Sequence, residues 1–395
     1  MSRAINQFCR HALVPLMLSL SALVMAQGTP PLGEGPFVFQ TAQVKIQVEV
    51  VARGMEHPWS LAFLPSGDML VTERAGNLRV IHNGVLNPES IAGVPDVYVE
   101  RLLGFMEVIP HPDFAQNRTL YLTYHKKITE EPKAIATVLA SAIFDGTKLT
   151  DVKELLVGDS WDGAGGAGAR LAFGSDGKLY MSLGASRDDS AQQPGLLRGK
   201  ILRLNDDGSV PSDNPFVGKE GFRPEIFSWG HRNISGLAVN PATGALWASE
   251  YGPNGGDEVN IISAGKNYGW PLVSFGRDYP GPFISPVPYK EGMENPVATF
   301  IPGISPSGLA FYTGTDFPIW TTSAFLGATR VGQIGGTGKM VRIFFDENGN
   351  ERQREDLLVD LHQRIRDIRM GPDGLMYMLT EEQDGALLVI KPVNE

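Results

Sequence analysis

One stretch of the chain places an acidic pair inside a segment that can fold tightly: SEYGPNGGDEVNIISAGKNYGWP, from Ser249 to Pro271. Gly252 and Pro253 favour a tight turn that points main-chain carbonyls inward, and Asp257 and Glu258 add two carboxylates beside them. Calcium suits such a set, because it binds roughly six to eight oxygen atoms from carboxylates and carbonyls. The stretch therefore predicts either a hard-cation site or a polar surface turn.

Three arginines elsewhere suit an anionic ligand. Arg232 lies beside the amide of Asn233 in SWGHRN, and Arg364 and Arg366 lie two residues apart in QRIRDIRMGPDG. Residues two apart share one face of an extended segment. Because arginine binds carboxylates bidentately and keeps its charge, converging arginines would bind a ligand with several carboxylates. Ordinary strand arginines paired with acidic neighbours are the alternative.

The elements that must position these residues follow from a repeated phrase: an apolar pair, a Pro/Asp/Gly turn and a short strand of alternating large residues. The phrase occurs six times, at 62–73, 108–124, 172–184, 238–250, 310–328 and 370–381. One copy per four-stranded blade predicts an all-β, six-bladed β-propeller, whose inter-strand loops meet at one mouth of a central channel. Another repetitive all-β protein, such as a pair of sandwiches, is the alternative.

The chain begins with the pattern of a secretory signal peptide. Within residues 1–26, basic residues precede an apolar run from Ala12 to Met25. We interpret residues 27–45 as a flexible lead-in and residues 46–395 as a single propeller domain. The only cysteine, Cys9, lies in the signal peptide, so the exported chain would contain no disulfide. We expect the protein in the periplasm or outside the cell.

Charge and hydropathy exclude some partners. The formal net charge is −10, and acidic residues are scattered along the chain, which argues against nucleic acid as a partner. After the signal peptide no segment is apolar enough to predict a membrane span. The sequence does not determine the oligomeric state.

In their order along the chain, GHRN, SEYGPNGGDEVN, GKNYGWP and QRIRD followed by GPDG resemble the soluble glucose and aldose sugar dehydrogenases that use pyrroloquinoline quinone (PQQ). The resemblance extends from Val51 to Lys391 and implies a six-bladed propeller. It implies that PQQ is bound by five residues that share a cationic or amide side chain: Arg232, Asn233, Arg330, Arg364 and Arg366. Arg330 stands where relatives have a lysine.

The same resemblance implies two calcium ions. The carbonyls of Gly252 and Pro253 would hold the Ca²⁺ that polarises the quinone. Glu258 and the carbonyl of Tyr268 match positions that hold a second, structural Ca²⁺.

Two positions depart from the family pattern. Relatives have a histidine base four residues before an Arg-Leu pair, and here that position is Gly166, inside the run GAGGAGA. Relatives also have a glutamine shortly before Leu-Leu-Gly, where this chain has Glu100. We therefore consider Asp162 and Glu100 as substitute bases, with Arg232 stabilising charge on the quinone oxygen. The GAGGAGA run itself is either a loose loop or a segment whose main chain, free of large side chains, lies against a flat ligand.

The prediction from sequence is thus an exported, PQQ- and calcium-dependent oxidoreductase that oxidises an aldose sugar or related polyol and passes electrons to an external acceptor. A calcium-dependent propeller hydrolase of the lactonase kind, and a propeller that binds PQQ or sugar without catalysis, are the alternatives. Because general-base assistance is commonly worth about 10² to 10⁴ in rate, the missing histidine predicts slow oxidation of simple aldoses.

Overall fold

The structure is a computed structural model that describes residues 29–163, 165–279 and 281–393. The predicted signal peptide lies outside these residues. The strands, in chain order, are β1 (Phe37–Gln40), β2 (Lys45–Met55), β3 (Pro58–Phe63), β4 (Met69–Glu73), β5 (Asn77–His82), β6 (Val85–Leu86), β7 (Phe105–Pro110), β8 (Thr119–Thr129), β9 (Ala134–Phe144), β10 (Leu149–Val157), β11 (Leu171–Phe173), β12 (Leu179–Leu183), β13 (Lys200–Leu204), β14 (Ile226–Trp229), β15 (Ile234–Val239), β16 (Leu246–Glu250), β17 (Asp257–Ile262), β18 (Ala298–Phe300), β19 (Pro306–Phe311), β20 (Ala324–Ala328), β21 (Lys339–Phe345), β22 (Glu351–Leu357), β23 (Ile365–Met370), β24 (Met376–Thr380) and β25 (Gly385–Pro392). The described helices are short: one α-helix, α1 (Phe114–Asn117), and the 3₁₀ turns Asp189–Gln192, Pro318–Trp320 and Val359–Leu361.

These strands form six antiparallel sheets arranged as the blades of a propeller, which confirms the predicted fold. Five blades are consecutive four-stranded meanders, β3–β6, β7–β10, β11–β14, β15–β18 and β19–β22. Each repeated phrase spans the first two strands of one blade and the turn between them. At one such turn Gly177 adopts a φ of +72°, which glycine tolerates without steric cost.

The sixth blade joins both ends of the described chain. Strand β2 pairs antiparallel with β25, from Ile46 opposite Pro392 to Met55 opposite Gly385. Strand β1 adds a fifth strand at the edge of this blade by pairing with β2. Part of the predicted flexible lead-in, Phe37–Gln40, is therefore strand, and the propeller begins before residue 46.

Packing between blades explains where apolar and charged residues occur along the strands. Four of the second strands, β4 (MLVTE), β12 (LYMSL), β16 and β20, are buried throughout. Such strands have a blade on either face, so apolar residues run almost continuously along them. At the outer edge, β22 (ERQREDL) instead alternates exposed charged residues with partly buried ones, which protects an open sheet edge. Six apolar clusters lie between successive blades around the ring.

A buried ion-pair network fills the middle of the channel. The Nη1 atom of Arg170 lies 3.2 Å from Glu107 Oε2 and 3.0 Å from Asp367 Oδ1. Arg369 donates to the same two carboxylates, and the guanidinium carbon of Arg170 lies 3.9 Å from the centre of the Trp59 ring. Arg170, Glu107 and Asp367 are almost fully buried. Two positive charges thus balance two negative ones where the blades converge.

First strands carry bulges near one mouth of the channel. The pairing register shifts between Ile234 and Gly236 in β15 and between Ile365 and Asp367 in β23. A bulge turns the side chain at the extra residue away from the regular alternation. In β23 that residue is Arg366. Among the residues that the structure describes, no helix is long and apolar enough to cross a membrane.

We expect Glu107→Gln to lower the free energy of unfolding by about 3 to 5 kcal/mol, because it leaves Arg170 and Arg369 with too little negative charge in a site that is shielded from solvent. Urea unfolding followed by tryptophan fluorescence would measure this. The matched control is Glu351→Gln, which breaks a half-exposed ion pair with Arg354 and should cost less than about 1 kcal/mol. Similar losses in both variants would contradict a central role for the network.

Candidate functional site

A cleft of about 380 Å³ opens at the bulged mouth of the channel. Its lining comes from loops between blades, from loops between strands of one blade and from Arg366 in β23, which is why residues far apart in sequence meet there. The structure brings together most of the predicted cofactor and catalytic residues in this lining, together with glycines and alanine from GAGGAGA. The predicted residues that line the cleft are Glu100, Gly166, Arg232, Asn233, Gly252, Arg330, Arg364 and Arg366.

Glu381, which the sequence did not single out, organises the arginines at the base of the cleft. Its carboxylate binds Arg364, at 2.6 Å from Nη2, together with Arg366 and Arg74. Burial alone would raise the pKa of Glu381, but the guanidinium groups of Arg366 and Arg364 hold that pKa down to about 2. One carboxylate thus faces three arginines, and the cluster keeps a surplus of positive charge.

Arg366 and Arg232 are joined through Tyr251. The Nη1 atom of Arg366 donates to the hydroxyl of Tyr251 at 3.2 Å and to Ser307 Oγ at 3.0 Å. The Nη1 atom of Arg232 donates to the carbonyl of Tyr251 at 2.8 Å, and its guanidinium lies over the ring of Trp270. Burial lowers the pKa of Arg232. The Nε atoms of Arg232 and Arg366 are buried without a hydrogen-bond partner in the described structure.

One part of the cleft wall is bare backbone. Gly163, Gly165, Gly166 and Ala167 line it, so a flat group could approach the main chain closely. Asn233 anchors the end of this loop, because its Oδ1 accepts a hydrogen bond from the amide of Gly168 at 2.6 Å.

This lining fits the cofactor that the sequence resemblance implies. PQQ is flat and carries three carboxylates, and the cleft offers a bare wall, clustered guanidinium groups and two buried Nε donors without partners. Its volume lies within the range of about 300 to 1,000 Å³ that is usual for small-molecule sites. Arg330 also lines the cleft, in keeping with its predicted role.

In the acidic loop the two carboxylates have different environments. Asp257 accepts hydrogen bonds from the amides of Gly252, Ile304 and Ser305, at 2.8, 2.7 and 2.7 Å. Burial raises the pKa of Asp257 to about 6, against the effect of these donors. Asp257 therefore fixes the conformation of the loop.

Glu258 lies directly opposite Glu250 in the β16–β17 ladder. Burial raises the pKa of Glu258, and the charge of Glu250 raises it further. Like charges directly opposite each other are destabilising in a sheet. The Nδ2 atom of Asn260 bridges the pair, at 3.0 Å from Glu250 and 3.2 Å from Glu258, while its Oδ1 atom is buried and unpartnered in the described structure.

The residues around Glu250 and Glu258 provide some, but not all, of the ligands that a hard cation needs. Both carboxylates and Tyr268 line one small cavity, and the donors there are oxygen atoms of the kind that Ca²⁺ prefers. Within the described residues, however, no group of three or more His, Cys, Asp or Glu side chains is placed to hold a metal. Carbonyl ligands would have to complete the shell. The carbonyl of Tyr268 is the one predicted for the structural ion beside Glu258, whereas those of Gly252 and Pro253 are predicted for the other ion, beside the quinone. The carbonyl of Pro253 already accepts a hydrogen bond from the amide of Arg277.

The two substitute bases lie in different places. Glu100 lines the cleft and accepts hydrogen bonds from Lys133 at 2.7 Å and from Tyr98 at 2.6 Å. The ammonium of Lys133 and then the hydroxyl of Tyr98 lower the pKa of Glu100, whereas a strong base would need a raised pKa. Asp162 is exposed and does not line the cleft.

Other residues of the site were not predicted. Tyr279, on the proline-rich loop after β17, lines the cleft. Next to it, Arg277 forms an isolated antiparallel bridge with Phe283, and the amide of Ile284 donates to the carbonyl of Gly276. Nothing in the composition of this segment indicates that Tyr279 points inward.

Comparisons with known proteins agree with this geometry. The sequence pattern described as Glucose / Sorbosone dehydrogenase matches residues 55–389. The chain is 38% identical to the aldose sugar dehydrogenase YliI of Escherichia coli, over 97% of this chain and 98% of that protein. A solved glucose dehydrogenase superposes with a TM-score of 0.83 and 40% identity, over 88% of this chain and 99% of that one. The PQQ-bound aldose sugar dehydrogenase of Streptomyces coelicolor superposes with a TM-score of 0.68 and 25% identity, over 91% of this chain and 100% of that one.

The backbone at the position of the missing histidine leads to a prediction. Gly166 has a φ of +68°, and a Cβ atom there would lie 3.0 Å from the carbonyl carbon of Ala185. We expect Gly166→Ala to lower the free energy of unfolding by about 1 to 3 kcal/mol, and Gly166→His not to restore a base. The control is Gly177→Ala, where φ is +72° but no atom lies within 4 Å of the added Cβ. Equal losses at both positions in chemical denaturation would show that the contact with Ala185 is unimportant.

Proposed function

The chain belongs to the glucose/sorbosone dehydrogenase family, and we propose that it is an exported oxidoreductase that uses PQQ and Ca²⁺ to oxidise a sugar. The observation that carries the proposal is the convergence of Arg232, Arg330, Arg364 and Arg366 on one cleft that faces a wall of bare backbone. The name of the E. coli relative and the PQQ bound to the Streptomyces relative support it.

In this proposal, bound PQQ supplies a quinone that takes up two electrons, and Ca²⁺ supplies Lewis acidity beside it. Arg364 and Arg366 bind carboxylates of the cofactor, and Glu381 holds both guanidinium groups in place. Arg232, which donates to the carbonyl of Tyr251, and Asn233 would also contact the cofactor. Because Arg232 is half-buried and its pKa is lowered by desolvation, its positive charge is poorly screened and stabilises negative charge that develops near it.

Removal of the proton from the sugar hydroxyl is the step that the residues of this site support least. Glu100 is the predicted base that lines the cleft, and its lowered pKa makes it a poor acceptor. We therefore propose slow turnover with simple aldoses, with electrons passed to an external acceptor. Gly166 in place of a histidine also favours a second candidate, a propeller that binds PQQ or sugar without catalysis. Export to the periplasm or beyond is supported by the sequence pattern of residues 1–26.

PQQ binding is the first test. Adding PQQ and Ca²⁺ to the purified protein should shift the quinone absorbance, and titration should give a dissociation constant. Arg364→Ala and Arg366→Ala should each weaken binding by about tenfold or more, because each removes a charge-assisted contact to a carboxylate. Arg352→Ala is the control, since Arg352 is 64% exposed on blade five. Unchanged affinity in both cleft variants would contradict the assignment.

Calcium should stabilise the fold as well as the site. Binding to the native state alone adds about 2.7 kcal/mol at a hundredfold excess over Kd, so Ca²⁺ should raise the melting temperature and EDTA should reverse the change. Glu258→Gln removes the charge that opposes Glu250. In EDTA this variant should be at least as stable as the unaltered protein, but it should gain less from Ca²⁺. Unaltered protein that melts identically with Ca²⁺ and with EDTA would contradict calcium binding.

A further inference from the structure

One tyrosine of the cleft has no role in the proposed function. Tyr279 lines the cleft and is 47% exposed. Among the residues that the structure describes, its hydroxyl has no hydrogen-bond partner. A tyrosine hydroxyl can accept one hydrogen bond while it donates another. Tyr279 is therefore free to contact a bound ligand and solvent water at the same time.

Tyr279 lies close to Arg232. Both residues line the cleft. Burial lowers the pKa of Arg232, and the phenolic oxygen of Tyr279 opposes this change more strongly than the carboxylates of Asp257 and Glu250 do. Since the interaction between charges weakens with distance, the phenolic oxygen must be near the guanidinium group. Arg232 can thus stabilise negative charge on this oxygen as well as on the quinone.

The main chain on the N-terminal side of Tyr279 packs against the loop predicted to hold Ca²⁺ beside the quinone. The amide of Arg277 donates to the carbonyl of Pro253 at 3.0 Å. The Nδ2 atom of Asn254 donates to the carbonyl of Asp278 at 3.4 Å. These contacts hold Tyr279 at the end of the cleft where the quinone would react.

The other side chains of the lining are less suited to take up a proton. The hydroxyl of Tyr251 already accepts a hydrogen bond from a guanidinium group, and Glu100 already accepts two hydrogen bonds. Two further hydroxyls belong to Ser305 and Thr329. Aliphatic hydroxyls hold negative charge far less well than a phenol does. Tyr279 is thus the lining residue whose oxygen is both unoccupied and able to hold charge.

We propose that Tyr279 is the catalytic residue that takes the proton from the C1 hydroxyl of the sugar. This inference rests on the proposed function. The O–H bond of the C1 hydroxyl breaks, and its proton passes to the phenolic oxygen of Tyr279, whose own proton passes to water at the exposed edge of the cleft. The C1–H bond breaks with its electron pair, which goes to the quinone cofactor as a hydride, and C1=O forms. The sugar thus loses one proton and one hydride, and a cyclic aldose becomes its lactone.

Substitutions at position 279 separate proton transfer from packing. In protein loaded with PQQ and Ca²⁺, with an artificial acceptor, Tyr279→Phe should lower kcat for glucose about tenfold or more, because it removes the group that takes the proton. The KM for glucose and the dissociation constant for PQQ should change less than about twofold, since the hydroxyl acts in the transition state. Tyr279→His should lose less kcat than Tyr279→Phe, because an imidazole can take up a proton and a phenyl ring cannot.

The matched control is Tyr289→Phe, which should change none of these constants. Tyr289 lies on the same proline-rich loop and is 55% exposed, but it packs against Phe275 and does not line the cleft. A higher kcat in Tyr279→Phe than in Tyr279→His would show that the ring of Tyr279 only packs, and would overturn the inference. A loss of kcat in Glu100→Gln with none in Tyr279→Phe would overturn it as well.

Chemical modification gives a measurement that does not depend on turnover. N-acetylimidazole acetylates accessible tyrosine hydroxyls, and peptide mass spectrometry identifies which of them react. Bound PQQ should slow the acetylation of Tyr279 several-fold and leave that of Tyr289 unchanged. Equal acetylation of Tyr279 with and without PQQ would place its hydroxyl away from the cofactor and overturn the inference.

The inference and the proposed function fail in different ways. An absorbance shift on adding PQQ, combined with an unchanged kcat in Tyr279→Phe or with no oxidation of glucose by the unaltered protein, would overturn the inference alone. The absence of any shift would overturn the proposed function and the inference with it.

Discussion

Two arginines and two carboxylates, shielded from water at the centre of the ring, are the constraint on which the rest of the structure depends. Arg170 comes from the third blade, Glu107 from the second, and Asp367 with Arg369 from the sixth. Opposite charges in a dry site require close mutual placement, so the network fixes how these blades meet. Because Arg366 directly precedes Asp367 in β23, the same constraint sets the floor of the cleft.

The fold could be predicted from sequence because its signal is local and repeated. Each copy of the phrase encodes two adjacent strands and their turn, and all six copies form the predicted hairpins. The strand contributed by Phe37–Gln40 could not be found in this way, since it pairs through β2 with the far end of the chain. Pairing between distant segments leaves no local period in the sequence.

Only the arginines of the candidate site could be predicted from sequence, and not the carboxylates that hold them. Arg364 and Arg366 stand out in sequence because both are cationic and lie two residues apart, whereas Glu381, which binds both, directly follows β24 and looks in sequence like an ordinary polar residue at the end of a strand. A signal was nevertheless present: three of the six phrases end in Ser or Thr followed by Glu, at Glu73, Glu250 and Glu381. Glu73 binds Arg79, Glu250 accepts the amide of Arg232, and Glu381 binds arginines. Glu250 and Glu258 face each other only because of the pairing register between β16 and β17. That register could not be predicted, because the sequence of the connecting loop does not determine it.

The left-handed backbone at Gly166 has an evolutionary consequence. Loops at a propeller mouth can exchange side chains without disturbing the strands below, so a lineage could lose an imidazole there at small cost to folding. A conformation that only glycine adopts readily opposes every larger side chain at this position. If the family's histidine was lost here, as the resemblance implies, the present backbone would hinder its return. Selection for faster turnover would then sooner recruit a proton acceptor elsewhere on the rim.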